Sequence, residues 1–273
     1  MSRVSKDNPV VLVGAGKMGG AMLAGWLKTT PANHFHIVDP APASEMMELI
    51  SNESIPHSKS APEGIAPSVV IVAVKPQVVD AVLPTIVTLA DAKPVFISVL
   101  AGTPLATYEN SLGADVAVIR AMPNTPAQVG RGITAGLANA AVSVEQKALA
   151  ADLLAVTGAF VWVETEEQID AVTAVSGSGP AYVFHMVEAL AAAAEEAGLP
   201  SQLGLQLARA TIEGAGELLY QSDLDAGTLR KNVTSPGGTT AAALDVLTAD
   251  EGLTALMIKA VAAAKRRAEE LAR

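Results

Sequence analysis

An apolar run at residues 9–13 stops at a glycine-rich turn, Gly14-Ala15-Gly16-Lys17-Met18-Gly19. An amphipathic stretch follows at 21–27, then a second apolar run at 34–38, and Asp39 stands twenty positions beyond Gly19. Strand, G-x-G-x-x-G, helix, strand and acid, in that order, point to a parallel βαβ unit whose first turn receives a dinucleotide, the alternative being a glycine-rich turn in some other α/β protein. Each part has a physical task. Gly14 permits the tight turn, Gly16 lets a pyrophosphate approach the backbone, and Gly19 lets the helix pack close to the strand. The helix N-terminus offers free N–H groups and partial positive charge to phosphates.

The same grammar continues. Runs at 9–13, 34–38, 68–74, 94–99 and 115–119 are short and β-branched or fully apolar, and read as buried parallel strands. Helix-like segments at 17–28, 44–50, 77–89 and 104–110 lie between them, with Pro104 placed for a helix start. Further strands at 133–138 and 159–163 flank a helix at 144–156. A doubly wound α/β sheet of about eight strands results. After Glu164 the chain turns helical, with segments at 181–197, 202–220, 239–247 and 253–271 punctuated by Pro200 and Pro236. This predicts a dinucleotide-binding domain over 1–164 and an all-helical domain over 165–273. So much Ala, Gly and Leu in a piece of this size permits close helix contact, and the helical domain is expected to complete its core by dimerising.

Composition excludes several classes. The net charge is −10 with no basic cluster, which argues against nucleic acid and against an acidic membrane surface. Cysteine is absent, which removes disulfides, thiolate nucleophiles and Cys-ligated metals, and suits a reducing cytoplasm. Arg3 and Lys6 precede the first apolar run as in a secretory leader, but Lys17 and the glycines interrupt it, so it reads as strand–turn–helix. No apolar run reaches membrane-spanning length. His34, His36, His57 and His185 show no ligand spacing, His185 reads as a satisfied structural histidine on an apolar helix, and no metal is expected.

Four later segments carry candidate chemistry. In Ala73-Val74-Lys75-Pro76-Gln77 a strand ends and Pro76 opens a helix, which places Lys75 where a cofactor passes, or simply at a solvated strand end. In Arg120-Ala-Met-Pro123-Asn124-Thr125-Pro126 two prolines stiffen a polar loop, so Asn124 either orients nicotinamide or substrate or is merely solvated. Ser176-Gly-Ser-Gly179-Pro180 reads as a second exposed helix N-terminus that binds an anion or packs on another chain. In Ser235-Pro-Gly-Gly238-Thr239-Thr240, free N–H groups and hydroxyls form a carboxylate cradle, or Ser and Thr serve as ordinary helix caps.

Together GAGKMG, VAVKPQ, RAMPNTPA, AVSGSGPAYVF and VTSPGGTTAAAL, over residues 9 to 270, resemble the pyrroline-5-carboxylate reductase family. The resemblance implies an N-terminal Rossmann-type domain with a C-terminal helical dimerisation domain, often assembled as rings of dimers. It implies hydride transfer from NADH or NADPH to the imine carbon of 1-pyrroline-5-carboxylate, giving L-proline, the last step of proline biosynthesis. By similarity the cofactor would meet Gly14, Ala15, Gly16, Lys17, Met18, Gly19, Asp39, Ser58, Ala73, Val74, Lys75, Pro76 and Asn124. Ser235, Gly238, Thr239, Thr240 and Ser176 would hold substrate, Thr240 beside the imine nitrogen and Lys75 near the reacting groups, in a site shared between chains. Many family members carry Ser, Thr, Asn or Arg where this chain has Asp39, followed by Pro40-Ala-Pro42-Ala with no Arg or Lys. A carboxylate suits ribose hydroxyls and repels a 2′-phosphate, so NADH is expected to serve at least as well as NADPH. A β-hydroxyacid dehydrogenase fits GAGKMG alone but needs a lysine that the helix after Gly179 lacks; a non-catalytic nucleotide sensor is the other alternative.

Overall fold

The computed structural model describes residues 4–272; Arg3, weighed above as part of a leader, lies outside them. The chain forms two compact units, one running to Gly177 and taking back the stretch from Lys265, the other spanning Ser178–Ala264.

The first unit is built on an eight-stranded sheet. Its strands are β1 (Val10–Val13), β2 (Phe35–Val38), β3 (His57–Ser58), β4 (Val69–Val72), β5 (Val95–Ser98), β6 (Val118–Met122), β7 (Gly132–Ala138) and β8 (Gly158–Trp162). They lie in the order β3-β2-β1-β4-β5-β6-β7-β8. All neighbours are parallel except β6 and β7, which pair antiparallel. The helices are α1 (Lys17–Trp26), α2 (Ser44–Asn52), α3 (Val79–Val82), α4 (Leu105–Leu112), α5 (Val144–Leu154) and α6 (Glu166–Val172).

Alternation along each strand divides the core into two layers. Val10, Leu12, Ile37, Ile71 and Ile97 face Met22, Leu23 and Trp26 of α1 and Leu153 and Leu154 of α5. Val11, Val13, Val70, Val72 and Phe96 face Val79, Leu83, Tyr108 and Leu112 on the other side. Both faces are covered, which is why these strands read as continuous apolar runs. Trp26 stacks on Phe35 and donates its indole N–H to the Leu153 carbonyl at 2.8 Å.

Several features depart from the expected elements, β3 and the helix at Ala226–Asn232 among them. The segment 77–89 is broken: 3₁₀ turns at Pro76–Val78, Leu83–Thr85 and Val87–Ala92 flank the single α-turn of α3. Pro84 has no N–H to continue a helix. The strand expected at 115–119 begins three residues later, so Arg120 lies within β6 rather than in a loop. The helix α6, absent from the expected set, packs on the sheet through Ile169, against Ala135 and Leu137. α6 lies within the first compact unit, which comprises the stretch to Gly177 and that from Lys265.

The second unit is helical: α7 (Gly179–Glu196), α8 (Ser201–Gln221), α9 (Ala226–Asn232), α10 (Thr239–Leu247) and the first part of α11 (Leu253–Leu271). α7 and α8 approach closely at Gly204, where an added Cβ would stand 3.1 Å from the Ala194 Cβ. Few side chains here are buried; Phe184 (65%), Leu218 (55%), Val246 (72%) and Ile258 (66%) are largely exposed. His185 is not a buried structural histidine but a surface one, paired with Glu188 at 3.0 Å. No helix among the described residues is long and apolar enough to cross a membrane.

Candidate active site

The sheet reverses its winding between β1 and β4, and the C-terminal strand ends at that point are where open α/β sheets hold ligands. A cavity of about 540 Å³ opens there, lined by the ends of β1, β2 and β4: Val13, Gly14, Gly16, Val38, Asp39, Ala73, Val74 and Lys75. Val78, Val82 and Thr85 supply a mostly apolar wall. A second, more open recess of about 720 Å³ shares Gly16, Ala73, Val74 and Lys75, and adds Ala15, Lys17 and the start of α2.

The glycine turn is built by contact. Gly14 has φ +90, and a Cβ on it would meet the Ala73 backbone at 2.9 Å. A Cβ on Gly16, by contrast, would meet nothing within 4 Å, because it points into open space. Gly16 also caps α1 without a side-chain hydrogen bond, so the first-turn N–H groups are available to an anion. Met18 turns its side chain away from the cavity to pack on the core.

Asp39 does more than border the cavity. One carboxylate oxygen accepts the Ala15 N–H at 2.8 Å, and the other accepts the Ala41 N–H at 2.9 Å. The carboxylate thus pins the glycine turn to the end of β2. Ser58 on β3 is similarly occupied, donating to the Ser60 carbonyl at 2.7 Å and sharing a hydrogen bond with His36 Nε2 at 2.9 Å. His57 Nε2 lies 2.9 Å from the Asp39 carbonyl oxygen. Burial, and secondarily the neighbouring His57, hold the His36 imidazole below its ordinary pKa.

Lys59 and Ser60 line the same cavity as Asp39. Neither is announced by the sequence next to Asp39, where Pro40-Ala-Pro42-Ala carries no cation. The signal is tertiary: Val38 pairs with Ser58 in β3, which brings the next residues, Asp39 and Lys59, side by side. A two-residue strand leaves almost no trace in sequence.

Lys75 is exposed at the end of β4 and borders both cavities, with Pro76 opening the following 3₁₀ turn. Asn124 lines neither. Its amide accepts the Ile133 N–H at 2.9 Å and donates to the Ser176 carbonyl at 3.2 Å. Ser176 sits in a π-helical turn, Thr173–Gly177, and donates its hydroxyl to the Val172 carbonyl at 3.1 Å. The π turn ends at Gly177, and α7 begins at Gly179 with Ser178 at its N-cap and Pro180 in its first turn, so the helix start read from the glycines is present with a π turn just before it.

Arg120 is 2% exposed inside β6. Its guanidinium pairs with Glu166 and, at 3.3 Å, with Asp170, both on α6, while Glu166 also accepts the Leu105 N–H at the start of α4. This cluster braces the strand that leads to Asn124. It has a structural character that a loop assignment of Arg120 hides.

In the second unit, the segment 233–240 leads into α10, with Gly237 at φ +69 and Gly238 at the N-cap. Neither Ser235 nor Thr239 caps the helix by side chain. The N–H groups of the first turn and the Ser235, Thr239 and Thr240 hydroxyls are therefore not consumed by capping. They form a donor-rich surface suited to a carboxylate.

Comparison with known proteins supplies the remaining finding. A family model described as pyrroline-5-carboxylate reductase dimerisation matches residues 166–271, and one described as NADP oxidoreductase, coenzyme F420-dependent, matches residues 9–102. The pyrroline-5-carboxylate reductase of Pseudomonas aeruginosa is 37% identical over 96% of each chain, and that of Synechocystis is 46% identical over 74% of each. Among solved structures, the pyrroline-5-carboxylate reductase of Coxiella burnetii superimposes with a TM-score of 0.90 at 33% identity, covering 98% of this chain and 99% of that one. The Plasmodium falciparum enzyme with NADP bound superimposes with a TM-score of 0.78 at 27% identity, covering 98% and 99%. The chain belongs to the pyrroline-5-carboxylate reductase family.

Proposed function

We infer that the protein reduces 1-pyrroline-5-carboxylate to L-proline with NADH or NADPH. The observation that carries this is relatedness to reductases of that name across 96% of the chain. The first unit fits a nicotinamide dinucleotide on its own chemistry: a cavity at the strand ends, open space at Gly16 and free N–H groups at the start of α1.

The cofactor supplies the hydride to the imine carbon. A cyclic imine is already electrophilic, and no nucleophile or metal is required of the chain. Its residues must hold two reactants in register, which is worth roughly 7–11 kcal/mol of barrier. Gly14, Ala15 and Gly19 shape the turn, the free N–H groups of Gly16 and the first turn of α1 at Lys17 and Met18 would hold the diphosphate, and Ala73, Val74, Lys75 and Pro76 would line its path toward the reacting end. The Thr239 N–H and the Ser235 hydroxyl bind the substrate carboxylate, and Gly238, whose N–H is held by the Ser235 carbonyl, leaves room for it. Thr240 donates a hydrogen bond to the ring nitrogen, fixing the imine; a Thr hydroxyl is a weak acid, so the proton itself comes from solvent. Asn124, which donates to the Ser176 carbonyl, serves the cofactor, and Ser176 serves the substrate.

In sequence, residues 1–164 carry the cofactor and residues 165–273 carry substrate binding and association. The chain works as a homo-oligomer joined through the helical region, and we take the assembly to be a ring of dimers in the cytoplasm. The test is oxidation of NADH and NADPH by purified protein with 1-pyrroline-5-carboxylate. Imine-dependent oxidation supports the reading, and none from protein that binds nucleotide sinks it. Thr240→Ala should lower kcat by about 10²-fold or more, the scale of a lost positioning donor, while nucleotide binding persists in a titration.

A further inference from the structure

Resting on the reductase reading, a further question is which side chain meets the 2′ position of the adenine ribose. In a sheet of this winding that position falls at the end of β2. Three side chains stand there: Asp39, Ser58 and Lys59.

Two of them are committed. Asp39 spends an oxygen on each of the Ala15 and Ala41 N–H groups, and Ser58 is bonded to both His36 and the Ser60 carbonyl. Lys59 is not. It is exposed, it lines the cavity, and among the described residues it makes no ion pair, not even with the adjacent Asp39. Parallel pairing of Val38 with Ser58, and the Asp39 N–H donating to the Ser58 carbonyl at 3.1 Å, hold the Lys59 backbone on the cavity wall.

We propose that Lys59, assisted by Ser60, receives a 2′-phosphate on the adenine ribose, and that Asp39 serves chiefly as a clamp on the glycine turn. The cavity then admits NADPH despite its acid. A phosphate monoester carries close to two negative charges at neutral pH, and an unpaired ammonium beside it compensates the Asp39 carboxylate. The reading from Asp39 alone omitted this cation because it reaches the site only through β3.

The test is calorimetric titration with 2′,5′-ADP and with 5′-AMP, which differ by this phosphate and need no turnover. In Lys59→Ala the affinity ratio of 2′,5′-ADP to 5′-AMP should fall roughly ten- to a hundredfold, the span of a lost charged hydrogen bond. Lys59→Arg should restore most of the ratio, and added salt should shrink the wild-type preference. In Asp39→Ser, 5′-AMP should weaken as well, because the glycine turn loses its clamp. An unchanged ratio in Lys59→Ala, or a wild-type protein that binds both nucleotides equally, overturns the proposal. Imine-dependent nicotinamide oxidation by the same preparation decides the reductase reading separately.

Discussion

A guanidinium inside a strand is tolerable only where its charge is matched, and Arg120 shows how. Glu166 and Asp170 reach it from α6, and the Glu166 carboxylate simultaneously holds the start of α4. Arg120→Met should leave the buried Asp170 carboxylate unmatched and cost about 3–5 kcal/mol, read as a lower urea midpoint; a midpoint within error of wild type would refute the bracing role. Arg120→Lys should rescue little, because one ammonium cannot serve two carboxylates in fork geometry. His36 gives a pH signature. Its pKa is depressed in the folded state below its ordinary 6.5, so folding favours the neutral ring. Its contribution is complete above 6.5 and is lost as pH falls toward the lowered folded value. Thermal midpoints should therefore drop on acidification through that window, and His36→Gln should flatten this part of the profile. The same steepness in the variant would assign the loss to other groups.

At the scale of elements, most strands and helices are legible from apolar periodicity, and the misses have causes. β3 is two residues long and carries no period. α6 is amphipathic over only seven residues and is anchored by its ion pairs with a buried arginine, which no local pattern announces. The break in 77–89 was written in Pro84, but the strength of the flanking apolar spacing hid it. The contact between α7 and α8 depends on the absence of a side chain at Gly204. Gly204→Val should overpack that contact and cost about 1–3 kcal/mol, measured as a lower denaturation midpoint. No loss of stability would mean that the two helices separate without penalty.

At the scale of the whole molecule, the second unit exposes apolar side chains that water does not favour. Burial of such surface contributes about 25 cal/mol per Å² but must also offset the freedom lost on association, so a stable dimer needs an interface of roughly 1,000 Å² or more. Phe184→Asp combined with Leu218→Asp should shift the oligomer toward monomer in light scattering. An unchanged mass would place the interface elsewhere on the unit.

The sequence by itself determined most strands of a doubly wound sheet and the glycine turn at the end of β1, because strand periodicity and glycine spacing are local. It also marked the hydroxyl-rich turn before α10, since Ser235, Gly238, Thr239 and Thr240 are contiguous. Tertiary structure alone decided which N–H groups the Asp39 carboxylate accepts, that Lys59 lines the same cavity, which carboxylates neutralise Arg120, and that Asn124 braces the turn carrying Ser176. Those relations join residues distant along the chain. Hydrogen-bond direction and charge pairing depend on distance in space, which strand register and helix docking set only when the whole fold closes.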